Sequence, residues 1–567
     1  MKFQLTIPRD LRAALDAAAS EWTSNANVER FWKKDASLWT GQDEAKWLGW
    51  TDIVARQQAE LPNLAGFAAD VRASGFESLL VLGMGGSSLC PEVLSVTFGR
   101  QPGYPAPHIV DSTDPAQVKA IRDKVDLTRT LVIVASKSGS TLEPNVLKQY
   151  FFEEMKKAVG ADHAGSHFVA ITDPGSKMEQ VAKADGFRHI FYGDPRIGGR
   201  FSALSVFGLV PAAAMGLDTA DLLAAAAKAV EAAKRAPAEN PAVQLGLLLG
   251  TAANAGRDKI TIFTSPEVYD LGAWLEQLIA ESTGKLGKGI TPVDRETIAA
   301  PGVYGSDRIF AYIRLAGTRD SSQDAAVAAL EAAGHPVVRI EIDSLYELFG
   351  QFFTWEVATA VAGAVMGVNP FDQPDVESAK IVARELTTAY EQTGKLPTSE
   401  PVYSGEGVEI YATKEYAAKL AVTGPSLTSW LRAHLNQIVP GDYFATLAYL
   451  PMIAENEATI QTFRHKVRDA KKVATCVGFG PRFLHSTGQD YKGGPNTGVF
   501  VHITADHAVD LAIPGQKFTF GVVIDAQAGG DLAVLEQRGR RVLRIHLHDV
   551  EKGLRALGEA VAKALVS

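Results

Sequence analysis

An α/β protein built on parallel sheets is predicted by two features of this 567-residue chain: apolar β-like runs alternate with amphipathic helical segments, and loops rich in Gly or Ser close several of those runs. The length is a third guide, because a chain this long outgrows one hydrophobic core and divides into two to four domains.

From about Ser78 the runs "SLLVLG", "HIVDS", "LVIVAS", "FVAIT" and "HIFY" alternate with helical patterns such as "EPNVLKQYFFEEMKKA". This is the signature of βαβ units, in which helices cover both faces of a parallel sheet. A second series, "KITIFT", "RIFAYIRL" and "PVVRIEI", follows the Ala-rich helical stretch "DTADLLAAAAKAVEAAKRAPAENP". After about Leu396 the segment "GKLPTSEPVYSGEG" punctuates the chain before a third region. The expected division is therefore 1–215, 216–396 and 397–567. In the third region "LAVLEQRGRRVLRIHL" matches "VAALEAAGHPVVRIEI" of the second series position by position, and "TGVFVHI" echoes "DRIFAYI". A partial internal duplication accounts for this; chance likeness of two helix-turn-strand segments is the alternative.

Composition narrows the function. Hydrophobic residues make up 46% and charged residues 21%, as in a globular protein, and the net charge of −9 argues against nucleic acid as a partner. Cys90 and Cys476 lie far apart without zinc-type spacing, so neither a disulfide framework nor a metal site is expected. The N-terminus has no apolar signal-like stretch, and the most apolar segments are too short or interrupted to span a bilayer. A soluble, cytoplasmic protein without a membrane partner is the expectation.

Two loops carry the first chemical signal. "LVIVASKSGSTLEPN" runs from strand to helix through Ser136, Lys137, Ser138, Gly139, Ser140 and Thr141, a group of hydroxyls and backbone N–H donors at a helix start suited to an anion. Ser-rich helix starts also occur without a ligand. "LLVLGMGGSSLCPEVL" presents Gly83, Gly85 and Gly86 ahead of Ser87. A dinucleotide fingerprint would require an acidic residue about 20 positions on, which is in no clear position here. A small sugar phosphate suits the two loops better. Three further segments, "RIGGRFSALSVFGL" with Arg200, "EQLIAESTGK" with Glu281 and "NPFDQPDVESAK" with Lys380, are each unremarkable alone.

Together these segments resemble the glucose-6-phosphate isomerase family. "IGGRFSALSVFG" matches the first family signature, "FDQPDVESAK" matches the second except that Asp375 replaces a glycine, and "QLIAES" aligns with the segment bearing the catalytic glutamate. The resemblance covers roughly Gly75 to Lys380. The chain as a whole is most similar to the isomerase half of bifunctional transaldolase/glucose-6-phosphate isomerase proteins, and no transaldolase half is expected ahead of Met1.

The resemblance implies two sugar-isomerase (SIS) domains, doubly wound on parallel sheets; the repeated segments add the expectation of a C-terminal α/β region partly resembling the second. It implies aldose–ketose isomerisation of glucose 6-phosphate and fructose 6-phosphate without metal or organic cofactor, in glycolysis and gluconeogenesis. Glu281 corresponds to the base that moves a proton between C1 and C2, Arg200 to the cation facing the enediolate oxygen, and Lys380 to the ring-opening lysine. Gln277, one helical turn before Glu281, faces the same way. Gly86 and Ser87, with the Ser136–Thr141 loop, match the substrate and phosphate positions. The family's ring-opening histidine is replaced by Asp307 in "PGVYGSDRIF", a weaker base unless burial raises it. In the family that histidine comes from a neighbouring subunit. If the third region stands in for part of that subunit, His485 of "FLHSTGQ" can supply the imidazole in cis; otherwise it simply bonds its own loop. A monomer or a homodimer fits. A non-catalytic sugar-phosphate-binding regulator could dispense with Glu281 and Arg200, and mannose 6-phosphate shares the same enediol.

Overall fold

The computed structural model describes residues 1–318 and 320–566, which form a mixed α/β architecture of three sheets dominated by parallel strands. In the first sheet, Ala106–Val110, Ser78–Leu82, Thr130–Ala135, Phe168–Thr172 and His189–Tyr192 lie side by side, all parallel. Its central strands Thr130–Ala135 and Phe168–Thr172 are buried at every position, which explains their unbroken apolar sequence: helices cover both faces.

The second sheet runs Lys2–Thr6, Val337–Ile342, Arg308–Leu315, Lys259–Thr264, Thr291–Val293. Its antiparallel edge comes from the far N-terminus, where Lys2 pairs with Glu341 and Thr6 with Val337. The first strand therefore does not join the sheet next to it in sequence. The Ala-rich segment between the two strand series forms the helix Thr219–Ala233, whose first N–H groups are capped by Asp218. Helix Leu345–Met366, long and apolar enough to cross a membrane, is instead 89% buried among the other elements.

The third sheet runs Tyr403–Gly405, Val408–Tyr411, Arg541–Leu547, Gly498–Ala505, Tyr443–Ala448, Ala474–Phe479. Beyond its outermost strand it repeats the second: an antiparallel edge strand, then four parallel strands in the same chain order. The segments "VVRIEI" and "VLRIHL" occupy equivalent strands. The two related sheets meet through their outer strands. There the Cys476 thiol donates to the Pro292 carbonyl at 3.5 Å and the Thr475 hydroxyl to Glu296 at 2.8 Å. Helix Phe520–Gln537 packs the third region onto helix Pro374–Thr393. At that junction Asp375 is buried, accepts from Gln489 Nε2 at 2.8 Å and pairs with Arg538, while Gln489 Oε1 accepts from the backbone N–H groups of Asp375 and Val376. The residue that departs from the family signature thus anchors the third region.

Candidate active site

The site gathers where the carboxyl ends of the first sheet face the second and third regions, as expected for open parallel sheets. Strand Thr130–Ala135 leads through residues 136–141 into helix Leu142–Val159. Gly139 has φ +67°, and a Cβ there would lie 2.5 Å from the Met178 nitrogen, so the tight turn requires glycine. Ser138 Oγ and Ser140 Oγ share a hydrogen bond of 2.9 Å, Lys137 pairs with Asp173, and the Thr141 side chain makes no capping bond to the helix that follows it. Ser136 Oγ is buried with no hydrogen-bond partner. Free donors and open N–H groups at the start of an 18-residue helix make an anion cradle.

Across the cleft the "GMGGSS" loop touches the "IGGR" loop so closely that a Cβ on Gly86 would fall 1.9 Å from the Gly199 carbonyl oxygen. This contact sets Arg200, which is buried and held by four partners: Nε donates to Ser282 Oγ at 2.8 Å, Nη1 to Gln373 Oε1 at 2.9 Å, and Nη2 to the carbonyls of Pro370 and Asp372 at 2.6 and 2.9 Å. Burial lowers its pKa, opposed by Glu281 and Asp372. Its Nη1 lies 3.6 Å from Glu281 Oε2. Helix Leu271–Thr283 brings Gln277 and Glu281 to the same face, and Gln277 Nε2 donates both to Glu281 Oε2 at 3.1 Å and to the His485 carbonyl at 2.8 Å. The Gln277 carbonyl oxygen Oε1 has no partner although buried.

His485 enters from the third region. Its Nε2 lies 2.9 Å from Glu143 Oε1, and the same oxygen accepts from Gln527 Nε2 at 2.6 Å, whose Oε1 accepts from the Thr113 hydroxyl at 2.6 Å. Burial pushes the Glu143 carboxyl up, but the His485 charge and hydrogen bond, with Lys380 nearby, outweigh it and hold the pKa below the usual value. The result is a cleft of about 340 Å³ lined by backbone donors, hydroxyls, two carboxamides, two carboxylates, an imidazole and three cationic side chains. Such a set can bind an anion at one end and move protons at the other.

The chain matches the Phosphoglucose isomerase family over residues 64–306. It is 32% identical over 360 residues to the glucose-6-phosphate isomerase of Rubrobacter xylanophilus, covering 55% of this chain and 83% of that one. The chain belongs to the phosphoglucose isomerase family. Among solved structures, a hypothetical protein from Thermus thermophilus superposes with TM-score 0.58 at 26% identity, over 67% of this chain and 99% of that one. A glucose-6-phosphate isomerase from Chlamydia trachomatis does so with TM-score 0.56 at 21% identity, over 68% and 87%, and shows the shared fold.

The stretch that matches the phosphoglucose isomerase family holds both loops, Arg200, Gln277 and Glu281, whereas Lys380 and His485 lie beyond it. All of these nevertheless line one cleft, with Gly86, Ser87, Ser136, Lys137, Ser138 and Thr141. Gly139 shapes the loop from behind, and Ser140 faces an adjoining cavity of about 470 Å³. Asp307 is the correction. It precedes strand Arg308–Leu315, at the amino end of a parallel strand and so on the side of the sheet away from the ligand face, where its carboxylate lies 3.3 Å from Lys259 Nζ. It does not line the cleft, and the imidazole that does is His485. Sequence reasoning missed Glu143, Gln527 and Gln373. Only Glu143 left a trace, as an acidic residue two positions past the hydroxyl loop, where it reads as an ordinary first-turn helix residue. It also missed Lys285, which burial and the Arg200 charge lower to a pKa of about 8, and which donates to the carbonyls of Asn369 and Asp372.

Proposed function

We propose that this chain is a glucose-6-phosphate isomerase, interconverting glucose 6-phosphate and fructose 6-phosphate through an enediolate, and that a single chain carries the complete site. The observation that carries this reading is the pairing, in one cleft, of the Glu281 carboxylate with the Arg200 guanidinium opposite an anion cradle.

The phosphate end of the sugar sits on Ser136, Ser138, Thr141 and the helix start, where the unpartnered Ser136 hydroxyl gains an acceptor. Lys380 and His485 serve ring opening by taking the proton from O1 and returning one to O5. Glu143, itself held by Gln527, pairs with the imidazole through Nε2, which leaves Nδ1 as its free nitrogen. Glu281 then removes a proton from one of C1 and C2 and returns it to the other, and Arg200 meets the negative charge that develops on the neighbouring oxygen. Every interaction fixing Arg200 is made by protein groups already in place, so little reorganisation accompanies the charge shift. Mannose 6-phosphate, the C2 epimer, passes through the same enediol and is a candidate second substrate. The two buried free thiols, Cys90 and Cys476, suit a cytoplasmic setting.

The test is conversion of fructose 6-phosphate in D2O by wild type and Glu281→Gln. The proposal expects glucose 6-phosphate carrying deuterium at C2 from wild type, and a rate reduced about 10²–10⁴-fold in the variant. A wild type that binds the sugar phosphate without turning it over would make the chain a binding protein; an undiminished variant would remove Glu281 from the chemistry.

A further inference from the structure

Outside the cleft, the carboxyl ends of two neighbouring strands in the third sheet hold a compact set of metal-ligating side chains. Asp506 follows strand Gly498–Ala505, while His546 and His548 lie two apart at the end of Arg541–Leu547 and so share a face. His546 Nε2 is 3.1 Å from Asp506 Oδ1, and His548 Nδ1 is 3.1 Å from Asp506 Oδ2. The donor atoms of all three residues lie within 4.8 Å of one another. The remaining nitrogen of His546 is held by the Thr504 hydroxyl at 2.9 Å, the kind of outer contact that fixes which ring nitrogen is free to bind a metal. Glu409 stands opposite His546 in register, its carboxylate 4.0 Å from His548 Nε2.

The related face of the second sheet is built differently. Aligning "VVRIEIDS" with "VLRIHLHD" sets Glu341 and Asp343 where the third sheet has His546 and His548, and Lys2 pairs with Glu341 as Glu409 pairs with His546. That face is closed by cations: Lys2 and Arg314 both contact Glu341 at 2.5 Å. In the third sheet no lysine or arginine takes their place among these residues. Two imidazoles and a carboxylate converge instead, with a second carboxylate alongside.

We propose that Asp506, His546 and His548 bind one divalent transition-metal ion of the zinc class, with Glu409 or solvent completing the coordination. Two neutral imidazoles with carboxylate oxygen suit Zn²⁺ and disfavour Mg²⁺ or Ca²⁺, which prefer all-oxygen shells. Bonds of about 2.0–2.2 Å in a tetrahedral shell set donors roughly 3.3–3.5 Å apart. The two contacts to Asp506 are already close to this, and His548, its side chain 50% exposed, can rotate to close the remaining gap. The ion would staple strand Val408–Tyr411 and the ends of two parallel strands, and it takes no part in isomerisation.

The experiment is calorimetric titration of ZnCl2 into the full chain after chelator treatment and dialysis, with wild type, a His546→Ala/His548→Ala double variant and Thr504→Val. One zinc per chain is expected for wild type, none at that affinity for the double variant, and about 10–100-fold weaker binding for Thr504→Val. MgCl2 should give no comparable binding. Co²⁺ should give the visible absorption of a tetrahedral nitrogen–oxygen site in wild type alone, and sugar-phosphate turnover in the double variant should equal wild type, which also certifies its fold. Zinc stoichiometry and affinity unchanged in the folded double variant would overturn the proposal, as would wild-type binding no tighter than that of the variant.

Discussion

Replacing His485 by alanine removes the one side chain that the third region is proposed to contribute to the chemistry. Two magnitudes follow from its surroundings. A positioned general acid or base contributes about 10²–10⁴-fold, so kcat/KM for the cyclic sugar phosphates should fall by that factor, while KM, governed by the Ser136–Thr141 cradle, should change little. Glu143 meanwhile loses its imidazole partner but keeps the 2.6 Å bond from Gln527. A hydrogen bond to a charged group contributes about 1.5–3 kcal/mol, and the retained bond sets the expected loss of unfolding free energy near the lower end. Initial rates of glucose 6-phosphate formation, with urea unfolding of the same preparation, separate the two effects. A folded His485→Ala enzyme with wild-type turnover would refute the assignment, leaving His485 as a residue that merely braces Glu143.

Two other perturbations test neighbouring parts of the account. Because the Glu143 carboxyl is held below its ordinary pKa, its interactions stabilise the fold above the unfolded value of about 4.3 and are lost as pH falls through the folded one. The stability difference between wild type and Glu143→Gln should therefore shift toward wild type as pH rises through that window in urea titrations; a flat difference contradicts the proposed pairing with His485. Asp375→Gly, which restores the glycine of the family signature, removes the contacts with Gln489 and Arg538, and should lower unfolding free energy by about 1.5–3 kcal/mol while loosening the third region. Unchanged urea stability and unchanged proteolysis would dismiss Asp375 as an anchor.

Much of this arrangement was legible along the chain, and the exceptions share a cause. The two loops announce themselves by local chemistry: glycines and hydroxyls between an apolar strand and a helix. Gln277 and Glu281 share a face because helical periodicity requires it. The likeness of "VVRIEI" to "VLRIHL" foreshadows the repeated strand order of the second and third sheets. What failed depended on distant contacts. Asp307 stands where the family resemblance sets the ring-opening histidine yet precedes its strand, and the direction of that strand carries it away from the ligand side. The imidazole instead meets a glutamate 342 positions distant, a pairing that no local pattern encodes. Likewise nothing in "KFQLT" indicates that it will border a strand beginning at Val337. The candidate metal ligands are equally silent in the cysteine spacing, because they converge from two parallel strands that pair some 40 residues apart in register.

The central claim, that one chain builds the whole site with its own third region, is tested most directly by mixing two inactive variants. Glu281→Gln and His485→Ala chains, each purified, are combined under conditions that permit subunit exchange and assayed for glucose 6-phosphate formation. A site assembled within one chain predicts no recovery, since every molecule lacks one of the two groups. Recovery approaching about a quarter of wild-type activity, the yield of intact sites in statistically mixed dimers that trade His485 between subunits, would contradict it.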